Sequence, residues 1–189
     1  VHTFHGIHYS GYSRFGQQVY LALERRLSRL THAVINVSAS QEAEGLSLRL
    51  FQASQSAVVV NGIDFEELDR IIATVPIRRE SLGLTADDLV LGCVTRFDPI
   101  KRVETLLRAL QLLAPRIHRL TLLLVGGGGE EERIRRLVTE MGLGSQVIFT
   151  GFLENSVRIY TTLDLYVATS LKEGLPLSLV EAMGAGLAV

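Results

Sequence analysis

Glu173 and Glu181 stand eight positions apart and enclose Gly174-Leu175-Pro176-Leu177-Ser178-Leu179-Val180. A carboxylate can accept two hydroxyl hydrogen bonds, and its charge strengthens both, so the pair suits a polyol. Gly174 permits close backbone approach, and Pro176 suits a first helical turn. A helix opening there turns its free N–H groups toward an anion. The plainer reading of the same residues is a helix start with a capping acid.

A second group is Thr95-Arg96-Phe97-Asp98-Pro99-Ile100-Lys101, with two cations five positions apart around a turn. A diphosphate leaving group gathers negative charge as its bond breaks, and fixed cations stabilise that transition state more than the ground state. Taken alone, the two are surface charges. His5, next to Gly6, stands where a ligand can approach; the alternative is a hydrogen-bonded loop histidine. His2, His5 and His8 repeat every third residue. Histidines in a loop without cysteine or acidic partners make a poor metal set, and no metal is expected.

The run Gly126-Gly127-Gly128-Gly129 invites a dinucleotide reading, which then fails. The G-x-G-x-x-G fingerprint needs glycine where Glu131 or Glu132 stands, and acids at a helix start repel a pyrophosphate. A nicotinamide oxidoreductase is disfavoured accordingly. The run reads as a tight turn on which a nucleotide can lie.

These residues need elements to position them. From position 89 onward, apolar strands at 89–95, 120–125, 146–149 and 163–168 each precede a helix, at 101–113, 130–141, 155–161 and 176–185. That alternation predicts a parallel sheet with helices on its faces. Right-handed crossovers put all strand carboxyl ends on one edge, where ligands bind. Upstream, strands at 1–4, 33–37 and 57–60 alternate with helices at 17–30 and 41–51, and 64–84 reads as a connection with short helical pieces. On helix 17–30, Val19, Tyr20, Leu23, Leu27 and Leu30 share a face expected to pack on its own domain. Arg25, Arg26 and Arg29 leave a membrane contact open.

The chain has 189 residues, of which 47% are hydrophobic and 6% aromatic, the profile of an aliphatic α/β core. A net charge of -1 gives no reason to expect nucleic-acid binding. Cys93 alone cannot form an internal disulfide, and no apolar run approaches the roughly 18–20 residues of a spanning helix. Cytoplasmic residence is expected, including at the inner face of a membrane. The chain starts on Val1 inside a strand-like stretch and stops as a strand begins, so it reads as a piece of a longer protein.

Glu173–Glu181 resembles the E-x7-E element of retaining glycosyltransferases in family 4, and Arg96 with Lys101 resembles that family's diphosphate-binding pair. Asn61-Gly62-Ile63-Asp64 is similar to its domain-junction motif. The resemblance implies an α/β fold of the GT-B type, with two Rossmann-like domains and parallel sheets, both incomplete here. Residues 1–62 would belong to the first, acceptor-side domain, 63–86 to the connection, and 87–189 to the donor domain.

By the same resemblance Glu173 holds the donor sugar, Glu181 the ribose, and Arg96 and Lys101 the diphosphate. The turn of Gly174, Leu175, Pro176 and Leu177 presents its backbone amides to the sugar and phosphates, with Pro176 shaping it without an N–H of its own. His5 faces the sugar, and Gly126, Gly127 and Phe152 line the nucleotide pocket. Two departures stand out: Thr95 and Arg102 occupy places where glycine is common.

The implied reaction moves a hexose-like sugar from a UDP-, GDP- or ADP-sugar to a carbohydrate or lipid-linked acceptor hydroxyl, with retention and without cofactor or metal. Front-face attack needs no carboxylate nucleophile, unlike retaining glycosidases with carboxyl groups about 5–5.5 Å apart. This stretch alone is expected to be inactive. A GT-B epimerase or phosphorylase, and a non-catalytic nucleotide-binding module, remain alternatives.

Overall fold

Leu120–Val125 is almost uninterrupted aliphatic sequence, and such a run is stable only as a strand covered on both faces. In the computed structural model, which describes residues 1–7, 9 and 12–189, all six of its residues are buried. It is the central β5 of a four-stranded sheet with β4 (Leu89–Val94), β6 (Val147–Gly151) and β7 (Leu165–Tyr166). The order is β6-β5-β4-β7, and every pair is parallel, as the alternation predicts.

α4 (Val103–Leu113) and α5 (Glu131–Glu140) cover one face. Val103, Leu106, Leu107, Leu110, Ile134 and Val138 pack there against Leu122 and Leu124. Each fully buried aliphatic side chain contributes about 1.5–3 kcal/mol. On the other face Val90, Leu123 and Val125 meet Ile159, Tyr160, Leu163 and Ala182, the last on α6 (Leu177–Gly184). α3 (Phe65–Thr74), whose N-cap Asp64 accepts from the Glu67 amide at 3.0 Å, buries Leu68 and Ile71. The chain divides into two units, Val1–Gly62 with Glu173–Pro176, and Ile63–Lys172 with Leu177–Val189. The whole stretch read as a connection therefore belongs to the second unit.

In the first unit β1 (His2–Phe4), β2 (Val34–Asn36) and β3 (Ser56–Val58) form a parallel sheet in the order β1-β2-β3. The crossovers are α1 (Arg14–Ser28) and α2 (Ala39–Ser47), capped by the hydroxyls of Ser13 and Ser38. Phe4, Ile7, Val34, Leu50 and Phe51 form the core.

Two elements differ from their sequence reading. β7 keeps only two residues, and before it the Asp164 carboxylate accepts the Val90 amide (2.7 Å). Residues Ser156–Thr162 coil as a 3-10 rather than an α-helix. α1 also departs: Tyr20 and Leu21 turn to the core, while Val19, Leu23, Leu27 and Leu30 are 42, 57, 57 and 78% exposed. The packed line runs through Gly16, Tyr20, Glu24 and Ser28, about one helical step from the expected face.

Candidate functional site

Since the second sheet is parallel throughout, the segments after β4, β5 and β6 emerge at one edge. They carry Arg96 to Lys101, Gly126 to Gly129, and Phe152. Backbone bonds zip the first two together: Thr95 N to Val125 O (2.9 Å), Phe97 N to Gly127 O (2.8 Å) and Glu130 N to Phe97 O (2.9 Å). The glycines make this possible. Gly126 (φ +122) and Gly128 (φ +153) lie in left-handed territory, and a Cβ at Gly126 would collide with the Thr95 carbonyl. The glycine run thus fixes the turn that carries the cations.

Arg96 is exposed and pairs with Asp98 at 3.0 Å. Arg102, at a glycine-like position, takes φ +51 and ψ +39, a left-handed conformation that costs a side-chain-bearing residue roughly 1–2 kcal/mol. The Arg102 departure seen in the sequence therefore leaves the glycine-type backbone intact. Beside this turn a cleft of about 390 Å³ is lined by Asp98, Pro99, Arg102, Glu104, Glu130 and Arg133. Its charges answer one another: Arg133 pairs with Glu104 and Glu130, and Arg102 Nε approaches Glu104 at 3.8 Å. Arg133 holds the Glu104 carboxyl below the usual range. A cleft whose cations are already matched by acids makes a poor phosphate site.

The segment after β7 is fastened to the same turn. Leu171 N donates to Ile100 O (2.9 Å), and Thr169 Oγ1 donates to the carbonyls of Lys101 and Arg102 (both 3.1 Å). Glu173 follows two positions later. Gly174 belongs to the first unit, where a Cβ would come 2.9 Å from the His5 carbonyl and 3.1 Å from Val37. The turns of His5 and Glu173-Gly174, far apart in sequence, thus meet. Leu175 and Pro176 complete that turn, and Leu177, 43% exposed, opens α6.

Glu181, on α6, accepts from the Tyr160 hydroxyl at 2.8 Å. Burial first, and the Glu181 charge second, push the Tyr160 phenol far above its usual range, so it remains a donor. Phe152 is 85% exposed. Phe149, in β6, is capped by the Arg135 guanidinium at 4.0 Å. His2 lies edge-on to Phe4 at 4.5 Å, as a strand residue would. His8, third in the histidine repeat, lies outside the described residues.

Residues 75–189 match the family described as Glycosyl transferases group 1. The chain belongs to that family. EpsF of Bacillus subtilis (strain 168), a glycosyltransferase by name, is 35% identical over 127 residues, 67% of this chain and 33% of EpsF. An Escherichia coli UDP-Gal:alpha-D-GlcNAc-diphosphoundecaprenol alpha-1,3-galactosyltransferase is 25% identical across 99% of this chain and 49% of its own length. Anabaena Alr3699/HepE, solved with UDP and glucose, superposes with a TM-score of 0.81 and 27% identity, over 98% of this chain and 50% of that one. The group 1 chain thus spans about half the length, or less, of the relatives it matches. Its α/β architecture with parallel sheets is that of GT-B glycosyltransferases.

Sequence reasoning did not single out the tyrosines beside Glu181. Nothing in the spacing of Tyr160 and Tyr166 ties them to Glu181 or Ser178. The Arg96–Asp98 pair was open to inspection, since two positions in a turn bring opposite charges into reach.

Proposed function

We propose that this chain carries the donor-binding part of a retaining glycosyltransferase that takes a UDP-sugar and glycosylates an acceptor hydroxyl in glycan or glycolipid synthesis. The supporting observation is the fastening of residues 169–171 to the Pro99–Lys101 turn. It brings Lys101 and the approach to Glu173 to one sheet edge.

In this reading Arg96 and Lys101 neutralise the diphosphate, with Arg96 exchanging Asp98 for a phosphate oxygen. Glu181 takes the ribose and Glu173 the sugar hydroxyls, while His5 faces the sugar. Amides of Gly174, Leu175, Pro176's neighbour Leu177, and the backbone of Gly126 and Gly127 complete the contacts, with Phe152 at the base. The departing phosphate oxygen helps take the acceptor's proton, so neither glutamate acts as a nucleophile and no metal is needed. UDP is favoured because HepE was solved with it and the Escherichia coli relative is named for UDP-Gal. A lipid-linked acceptor at a membrane surface fits α1, whose exposed side joins Phe15, Leu23 and Leu27 to Arg14, Arg26 and Arg29.

The test is transfer of labelled sugar by the protein at the length of its relatives. Glu173→Ala and Lys101→Ala should each lower the rate by about 10²–10³. Parental rates in both variants would overturn the roles. The anomeric configuration of the product, read by NMR, decides retention. Conversion of the donor sugar without acceptor would instead favour an epimerase, and UDP binding without turnover a binding module.

A further inference from the structure

A carboxylate on a half-buried helix receives a ribose diol best when it is held in one rotamer. Tyr160 is 1% exposed and points its hydroxyl at Glu181 Oε2 (2.8 Å) and at the Ser178 carbonyl (3.0 Å). Its single proton goes to the carboxylate, the stronger acceptor. Oε1 and the remaining lone pairs are left to a diol.

Tyr166, buried beside it with ring centroids 6.2 Å apart, reaches Ser178 Oγ (2.8 Å) and the Val94 carbonyl (3.2 Å). Ser178 is thus gripped on both sides. Val94 ends β4, two positions before Arg96. One polar brace therefore sets Glu181 and ties α6 to the strand that delivers the phosphate-binding turn.

We propose that Tyr160 is a positioning residue for the nucleoside, presetting Glu181 to receive the ribose hydroxyls, with Tyr166 and Ser178 anchoring the helix that carries it. The inference rests on the donor reading above and adds to it what orients the ribose ligand.

The experiment compares UDP with 2′,3′-dideoxy-UDP by calorimetry on this chain. A hydrogen bond to a charged group supports a preference for UDP of about tenfold or more. Tyr160→Phe keeps the ring and should lower UDP affinity roughly three- to tenfold, leaving dideoxy-UDP unchanged. Glu181→Ala should abolish the preference, and adding Tyr160→Phe to it should cost nothing further.

A merely structural tyrosine would weaken both ligands equally, and that result, or an intact preference in Tyr160→Phe, overturns the inference alone. No UDP binding by the unsubstituted chain, or a preference that survives Glu181→Ala, overturns the donor reading with it. Should Tyr160→Phe fail to fold, labelled Tyr160 in the unsubstituted chain gives the answer. Its ring-carbon resonances should move with UDP and stay with dideoxy-UDP; movement with both or with neither sinks the idea.

Discussion

Gly126 and Gly129 look alike in the sequence, yet their surroundings differ. At Gly126 a Cβ would meet the Thr95 backbone carbonyl, at a φ of +122 that side-chain-bearing residues rarely adopt. A backbone atom in a zipped loop cannot swing aside as a flexible side chain can. At Gly129 nothing lies within 4 Å. Gly126→Ala should therefore lower stability by about 1–3 kcal/mol and weaken nucleotide binding, and Gly129→Ala should stay within about 0.5 kcal/mol. Urea unfolding checks both; equal effects would mean that the run is merely a flexible linker.

The same contrast measures what the sequence discloses at this scale. The side chains proposed to meet a ligand directly, Arg96, Lys101, Glu173 and Glu181, were proposed from chemistry and motif. Residues that act on those residues could not. Tyr160 reaches Glu181 across 21 positions, and the left-handed backbone at Arg102 shows only as an arginine where glycine is common.

At the scale of elements, periodicity located most helices and strands, overextended β7, took the 3-10 coil Ser156–Thr162 for an α-helix and missed one orientation. The fully buried β5 and the amphipathic α4 follow from composition, because a strand covered on both faces and a helix covered on one leave different patterns. α1 carries apolar residues on more than one line, so its pattern leaves the buried line undecided. Tyr20 and Leu21 pack inward, and the α1 acid, Glu24, is half-buried and hydrogen-bonded by Tyr20. Burial first, then the Glu24 charge and that bond, push the Tyr20 phenol up to about 12. The outward side is left with large apolar residues and arginines and no acid. A surface of that kind suits an anionic bilayer, where each basic residue near the headgroups adds about 1 kcal/mol and the apolar residues add burial. The chain should co-sediment with vesicles containing phosphatidylglycerol, lose much of that binding in half-molar salt, and lose it with Arg26→Gln and Arg29→Gln together. Equal binding to neutral vesicles, or none to either, would count against membrane contact through α1.

For the whole molecule, the alternation of apolar strands with helices foretold parallel sheets, and the gathering of the segments after β4, β5 and β6 at one edge then followed from topology. The division into units was less legible. Glu173–Pro176 packs with the first unit although residues on both sides of it in sequence belong to the second, a long-range contact that no local pattern records. A two-unit chain need not melt in one step, so ligand effects should be read unit by unit. Arg96, Lys101 and Glu181, the residues given to the nucleoside diphosphate, all belong to the second unit. UDP at about a hundred times its Kd should stabilise that unit by about 2.7 kcal/mol, which raises its melting temperature by several degrees. GDP and ADP at the same concentration should do less, and Lys101→Ala should remove most of the UDP effect. The gain should also shrink as salt rises, because much of it is attraction between exposed cations and a diphosphate. A shift as large with ADP would transfer the donor assignment to another nucleotide, and a shift that survives Lys101→Ala would place the diphosphate elsewhere on the molecule.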